Sequence, residues 1–292
     1  MASTTGVGAA TGAERAEQQS RPRVALFGGL WLLALLFLFP LLWVVLSSLK
    51  TNFEALANPG QLVPSVPQWS NYPDTWQLMD FPRQTLNSAI MTVSVTVGQV
   101  MLAALAGYAF ARLQFFGRDV LFVLILTTLI IPFEILFVPL FIMMSHWGMI
   151  DTYAALILPS LANPFAIFVF RQFFLTIPRE LEEAMFLDGA GHYRTFWSLA
   201  LPLSGPAVAT VTILTFLSEW NTLLKPLVFT SSEAMRTLQV GLSFLNSGAF
   251  VTEPKVAWLM VGVVLACIPP IIVFLLAQER FVKSIASTGL KG

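Results

Sequence analysis

Long apolar runs separated by short polar segments divide this chain from near its start to near its end. Six stretches, about 25–47, 87–110, 120–143, 153–175, 204–228 and 256–278, are mainly apolar. Each is close to the roughly 20 residues a helix needs to cross the hydrocarbon of a bilayer. Helices are expected because backbone polar groups in lipid must be satisfied within their own segment. A barrel would show alternating segments of roughly ten residues, and none occurs. The pattern predicts an all-α membrane protein with six transmembrane helices.

Composition agrees. Of 292 residues, 56% are hydrophobic and only 11% charged, about half the charge of an ordinary soluble domain. Lipid must therefore cover part of the surface. The net charge is zero, so no basic patch argues for nucleic acid. Residues 1–23 read as a disordered tail rich in small and polar residues, leaving 24–292 as the membrane domain. Arg21 and Arg23 precede the first apolar run, which continues through Phe39, Pro40 and Trp43. That is longer than the roughly 7–15 apolar residues of a signal peptide, so the first span is expected to be retained. Cys267 is alone in an apolar run and reads as a packing residue.

Lysine and arginine set the orientation. With the N-terminus inside, 11 of the 16 fall in cytoplasmic segments and five outside: Lys50, Arg83, Lys225, Arg236 and Lys255. That asymmetry follows the positive-inside rule and places both termini and the loop 178–201, between spans 4 and 5, in the cytoplasm. Outer loops are then expected at about 49–85 and 229–254.

The loop 178–201 is the most informative polar segment. Pro178 suits a first helical turn, and Glu180, Glu182 and Glu183 lie near the positive helix end, where acids are favoured. Leu181, Ala184 and Met185 share one face. Asp188 and Gly189 end the helix, Gly189 being suited to the left-handed terminating position. Tyr193, Phe196, Trp197 and Ala200 then repeat at helical spacing. An amphipathic helix lying on the membrane is the plainer reading, but such helices favour a basic polar face and this one is acidic. A protein-docking helix fits better.

The order Glu183, Ala184, Met185, Asp188, Gly189, Ala190, Phe196, Leu201, Pro202, Leu203 and Pro206 resembles the EAA signature of ABC-importer permeases. Met185 stands where the family usually has a second alanine. Other stretches are similar to the carbohydrate-importer branch: Asn71 and Tyr72, Asn87 and Ser88, Gly107 to Arg112, Arg171 to Phe174, Trp220 and Asn221. The run from Phe274 to Gln278 looks like the smaller permease of maltose-type systems. The resemblance implies a six-span permease domain whose loop 178–201 is a coupling helix seated in a cleft of an ATP-binding subunit. Leu181, Ala184 and Met185 would be its packing contacts and Glu183 its polar contact, with Asp188 and Gly189 making the turn. It further implies a second permease in a heterodimer, two ATP-binding subunits and an extracytoplasmic solute-binding protein, in a bacterial inner membrane. The solute would be a sugar or sugar-like compound, with a polyol, amino sugar or glycerol phosphate as the alternative. No phosphate-binding loop of the form G-x-x-x-x-G-K-[ST] occurs. No cofactor is expected on this chain, and ATP and Mg²⁺ belong to the partner subunit.

Polar residues within the spans are candidates for the solute route, since charge in a membrane is costly and usually functional. Glu134 lies between Pro132 and Pro139. Glu219 and Asn221 could bond hydroxyls, and Trp220 could stack on a sugar face. Helix–helix bonding is the alternative. An ion-coupled secondary transporter using Glu134 or Glu219 would predict internal repeats, and none is evident. Pro269 and Pro270 are expected to bend the last span. His146 and His192 do not suggest a metal site, and no nucleophile context marks a membrane hydrolase.

Overall fold

A computed structural model describes the backbone of residues 12–247 and 255–289, with side-chain surroundings for 27–246 and 255–276. Every element among them is helical. Three helices are long and apolar enough to cross a membrane unbroken, over Phe27–Ser48, Phe81–Arg112 and Val256–Leu276. The third and fourth expected spans are pairs of shorter helices bent by 92° and 46°, and the helix of the fifth is bent by 74° from His192–Leu203, which precedes it in the loop.

The first helix, α1, runs over Gly12–Ser48. It begins ahead of the expected span, through residues rich in the helix formers Ala, Glu, Gln and Arg. The remainder of the expected tail, 1–11, lies outside the described residues. The apolar stretch of α1 lies against the last helix but stays almost wholly exposed, with Leu32 at 70% and Phe37 at 76%. That surface is left for lipid or another subunit.

The segment after α1 is a built structure. Thr51 caps α2 (Asn52–Ala57) by accepting a bond from the Glu54 N–H at 3.1 Å. Glu54 Oε1 accepts from Gln61 Nε2, Ser65 N–H and Ser65 Oγ at 2.9, 2.9 and 3.0 Å. At the start of α3 (Asn71–Leu78), Asn71 Nδ2 donates to the Ser48 and Lys50 carbonyls at 2.8 and 2.9 Å. These bonds hold the chain between the first two spans against the end of α1.

The central helix is α4 (Phe81–Arg112). The third span is α5 (Arg118–Thr127) and α6 (Phe137–His146), joined through tight 3₁₀ turns at Thr128–Ile130 and Phe133–Leu136. Pro132 causes the break: it has no N–H to continue the helix and drives the preceding residue extended, and Ile131 has φ −84° and ψ 115°. The fourth span is α7 (Tyr153–Ile157), a 3₁₀ turn at Leu158–Ser160 and α8 (Pro164–Thr176). Extended Asn163 precedes Pro164 and its Oδ1 accepts from the Ala166 N–H at 3.2 Å, restarting the helix.

The loop described below is built from α9 (Arg179–Leu187), α10 (His192–Thr195) and a π turn over Phe196–Ala200, and leads into α11 (Leu201–Leu203). The fifth span, expected to reach residue 228, ends as α12 (Gly205–Trp220). Asn221 closes it by donating Nδ2 to the Leu217 carbonyl at 2.7 Å, and a separate α13 (Leu224–Phe229) follows. Part of the second expected outer loop is the packed helix α14 (Leu238–Ser247), while 248–254 lies outside the described residues. The last helix, α15 (Val256–Gly289), continues through Pro269 and Pro270.

α4 meets α8 and α12 in one apolar core containing Ala104, Tyr108, Phe170, Phe174, Phe196 and Val211. The approach of α4 to α8 requires Gly107, because a Cβ there would lie 2.7 Å from Phe170 Cβ and 2.9 Å from the Arg171 backbone nitrogen. A second core joins α4, α12, α14 and α15 through Phe81, Phe216, Trp220, Leu238 and Ala266. A third gathers Met91, Met144, Leu156 and Phe229. Beside it Asp151, at φ 63°, accepts the Ser231 and Ser232 N–H groups on Oδ1 at 2.9 and 3.0 Å.

Candidate functional site

Two places gather the polar chemistry: the loop around α9 and a cavity at the helix breaks. In the loop, the key side chain is Arg112 at the end of α4. Its Nη2 donates to the Phe174 carbonyl at 2.6 Å and to the Ile177 carbonyl, covering acceptors freed at the end of α8. Its Nε lies 3.0 Å from Glu182 Oε1, and both side chains are less than a tenth exposed. Burial pushes the Glu182 carboxyl above the usual carboxylate range, with Arg112, His192 and Arg179 opposing that shift. One guanidinium therefore joins α4, α8 and α9.

Anchoring Glu182 inward fixes which way α9 faces. Leu181, Glu183 and Ala184 are exposed, as are Phe186 and Leu187, the last at 89%. Met185 is half-buried and Asp188 is exposed. The helix stops in a Schellman arrangement: the Gly189 N–H bonds the Phe186 carbonyl at 3.0 Å and the Ala190 N–H bonds the Met185 carbonyl at 2.9 Å. Gly189 has φ 78°, the left-handed value that glycine adopts without strain. Beyond the turn Phe196 is buried against Tyr108 and Phe174, with ring centroids 5.3 and 6.4 Å away, while Tyr193 is 75% exposed. The loop is thus pinned at Glu182 and at Phe196, and presents Leu181, Ala184 and Leu187 outward at three-residue spacing. The sequence reading grouped Glu182 with the other acids and missed Leu187; the spacing of Leu181, Ala184 and Leu187 was the signal that could have found it.

The cavity, of about 670 Å³, lies where the third and fourth spans break and where α12, the helix of the fifth span, ends. Its polar lining includes Gln99, Glu134, Ser160, Asn163, Ser218, Glu219, Thr222 and Lys225, with apolar wall from Leu129, Phe133 and Phe137. Gln99 organises one side: its Oε1 accepts from Asn163 Nδ2 at 3.0 Å and Thr215 Oγ1 at 2.9 Å, and its Nε2 donates to the Ser160 carbonyl. Lys225 Nζ donates to Ser160 Oγ at 2.7 Å and pairs with the Glu219 carboxylate. A smaller cavity of about 230 Å³ shares Gln99, Asn163, Ser218 and Glu219. Sequence reasoning singled out none of Gln99, Asn163 or Ser160, because no motif marks them and only the fold brings them together.

Among the four residues expected on the solute route, Glu134 and Glu219 line the cavity. Trp220 and Asn221 do not. Trp220 is 2% exposed, stacked on Phe216 and donating Nε1 to the Ala266 carbonyl at 3.0 Å, so its ring has no free face to offer a sugar. Asn221 is spent closing α12. Lys225, counted among the outer charges, is instead buried on Glu219: a cation beside a buried carboxylate is held by the pair and does not report topology.

Residues 99–287 match the family described as binding-protein-dependent transport system inner membrane component. The chain is 34% identical over 263 residues to the sn-glycerol-3-phosphate transport system permease protein UgpE of Yersinia pseudotuberculosis, covering 87% of this chain and 92% of that one. It is 35% identical over 272 residues to the arabinooligosaccharides transport system permease protein AraQ of Halalkalibacterium halodurans, covering 90% and 95%. Among solved structures, a chain of a bacterial ABC transporter involved in the import of the acidic polysaccharide alginate has the same fold. Its TM-score is 0.73 at 24% identity, over 94% of this chain and 100% of that one.

Proposed function

Because the chain belongs to the family of binding-protein-dependent transport system inner membrane components, and is thus a permease subunit of an importer in the bacterial inner membrane, we propose that it carries a sugar or sugar-like solute and draws its energy from separate ATP-hydrolysing subunits. The observation that carries this reading is the attitude of α9. Its one inward acid is tied to Arg112, and its apolar stripe of Leu181, Ala184 and Leu187 is left outward beside Glu183. An exposed stripe of that kind on a short helix is what a groove in another protein takes up.

On this reading two ATP-binding subunits each receive a coupling helix, one from this chain and one from a second permease, and bind ATP and Mg²⁺ themselves. Leu181, Ala184 and Met185 pack in the cleft, Glu183 meets a cation at its rim, and Asp188 and Gly189 turn the chain back toward the membrane. Both termini and the loop 178–201 lie in the cytoplasm, and the 24–292 domain forms one half of the pore. An extracytoplasmic solute-binding protein delivers to the opposite side. When the ATP-binding subunits close, α9 is displaced and Arg112 passes the displacement to α4 and α8. Gln99, Asn163, Ser160 and the Lys225–Glu219 pair then offer donors and acceptors to hydroxyls along the route. The two relatives, permeases of an arabinooligosaccharide and an sn-glycerol-3-phosphate transport system, support both an oligosaccharide and glycerol phosphate as solute classes. Family membership displaces the ion-coupled secondary-transporter reading.

The test is purification of the tagged chain from its native membrane. An ATP-hydrolysing subunit should co-purify, and Glu183→Lys or Leu181→Asp should lose it while the chain stays inserted. Retention of that subunit by both variants would overturn the reading.

A further inference from the structure

We propose that Glu134 makes the cavity repel anions, so that this chain favours uncharged or cationic hydroxylated solutes over phosphorylated or uronate ones. The proposal rests on the importer reading above and narrows its solute class.

Three charged side chains line the cavity: Glu134, Glu219 and Lys225. Lys225 and Glu219 are partners of each other, so their charges cancel at short range. Glu134 is exposed to the cavity and has no ion pair among the described residues. The lining from this chain therefore carries one uncompensated negative charge. Among the described residues, the start of α8 also borders the cavity, at Asn163 and Pro164. Its pull on an anion is weakened: Pro164 has no N–H, and the Ala166 and Ile167 N–H groups are bonded to Asn163 Oδ1 and the Asn163 carbonyl. Low-dielectric walls of Leu129, Phe133 and Phe137 do little to screen Glu134, and such clefts concentrate ions of one sign. An uncharged sugar loses nothing to this field, because Ser218 and Thr222 can bond hydroxyls and the apolar wall can carry a carbon face.

Single cysteines at Ser218 or Thr222, in a Cys267→Ala background of the assembled complex, report the potential directly. They are treated with methanethiosulfonate reagents of matched size and opposite charge, and the rates are normalised to a free thiol. The cationic reagent should react about tenfold faster than the anionic one. Glu134→Gln should abolish that preference, Glu134→Asp should keep it, and added salt should shrink it. A ratio near one, a ratio unchanged by Glu134→Gln, or no reaction at either cysteine would each overturn the proposal. These outcomes are separate from the importer reading: loss of the co-purifying ATPase would sink that reading alone, and a flat reagent ratio would sink the charge filter alone.

Discussion

Arg112 and Glu182 face each other at 3.0 Å across the junction of α4 and α9, both shielded from solvent. Because the same guanidinium also holds carbonyls at the end of α8, the pair makes the docking loop move with the α4–α8 body.

Arg112→Ala should therefore damage more than a surface charge would. Removing one member of a buried pair leaves the other uncompensated, typically a loss of about 3–5 kcal/mol. The melting temperature in detergent should fall, and the solute moved per ATP consumed should fall with it. Arg112→Lys, which keeps charge but loses the forked donors, should fall between. Unaltered coupling in Arg112→Ala would remove the pair from the transmission path.

Glu182 also gives a pH signature. Its carboxyl is held above the usual range chiefly by burial, so the folded state binds its proton more tightly than the unfolded chain. Its contribution to stability is then greatest below the unfolded value near 4.5 and is lost as pH rises through the higher folded value. The melting temperature of the native chain relative to Glu182→Gln should rise as pH is lowered from 7 toward 5. A difference independent of pH would contradict the burial argument.

Gly107→Leu should separate α4 from α8. A side chain there meets backbone at 2.9 Å, and overpacking of this kind costs about 1–3 kcal/mol. Lower thermal stability and weaker insertion of the assembled complex are expected, whereas Gly28→Leu, with open space around it, should be tolerated.

At Gly189 space is free and only conformation is limiting, since nothing lies within 4 Å of an added Cβ and φ is 78°. Gly189→Val should lose about 1–2 kcal/mol to left-handed strain and reduce transport through a displaced turn. Gly189→Asn, which tolerates that conformation better, should retain most of it. Equal uptake by both would mean the turn is not required.

Trp220→Phe should lose the bond to the Ala266 carbonyl, about 1 kcal/mol of stability. The solute concentration for half-maximal uptake should not change, because the ring is buried in the α12–α15 core. A large shift in that concentration would return Trp220 to the route.

Much of the fold was readable from the apolar runs, because roughly twenty uncharged residues in lipid leave the backbone few options. The breaks within spans were less readable. Pro132 and Pro139 pointed to the first, but the break before Pro164 was not anticipated, and the end of α12 at Trp220 depends on Asn221 turning back on Leu217, which no periodicity encodes. In the loop, Gly189 was legible because its backbone role is local. The inward turn of Glu182 was not, since its partner lies seventy positions away in sequence, on α4. The cavity shows the same division: Glu134 and Glu219 stood out as charges in apolar runs, while Gln99 and Asn163 acquire their role only from tertiary packing.

The bend at residues 131–132 has one more consequence. A helix interrupted there strands carbonyl oxygens that hydrocarbon cannot hydrate, and the residues around the bend are exposed on this chain. In a membrane that elbow must be wetted or shielded by a companion polypeptide, so an isolated copy in lipid would be an unfinished object.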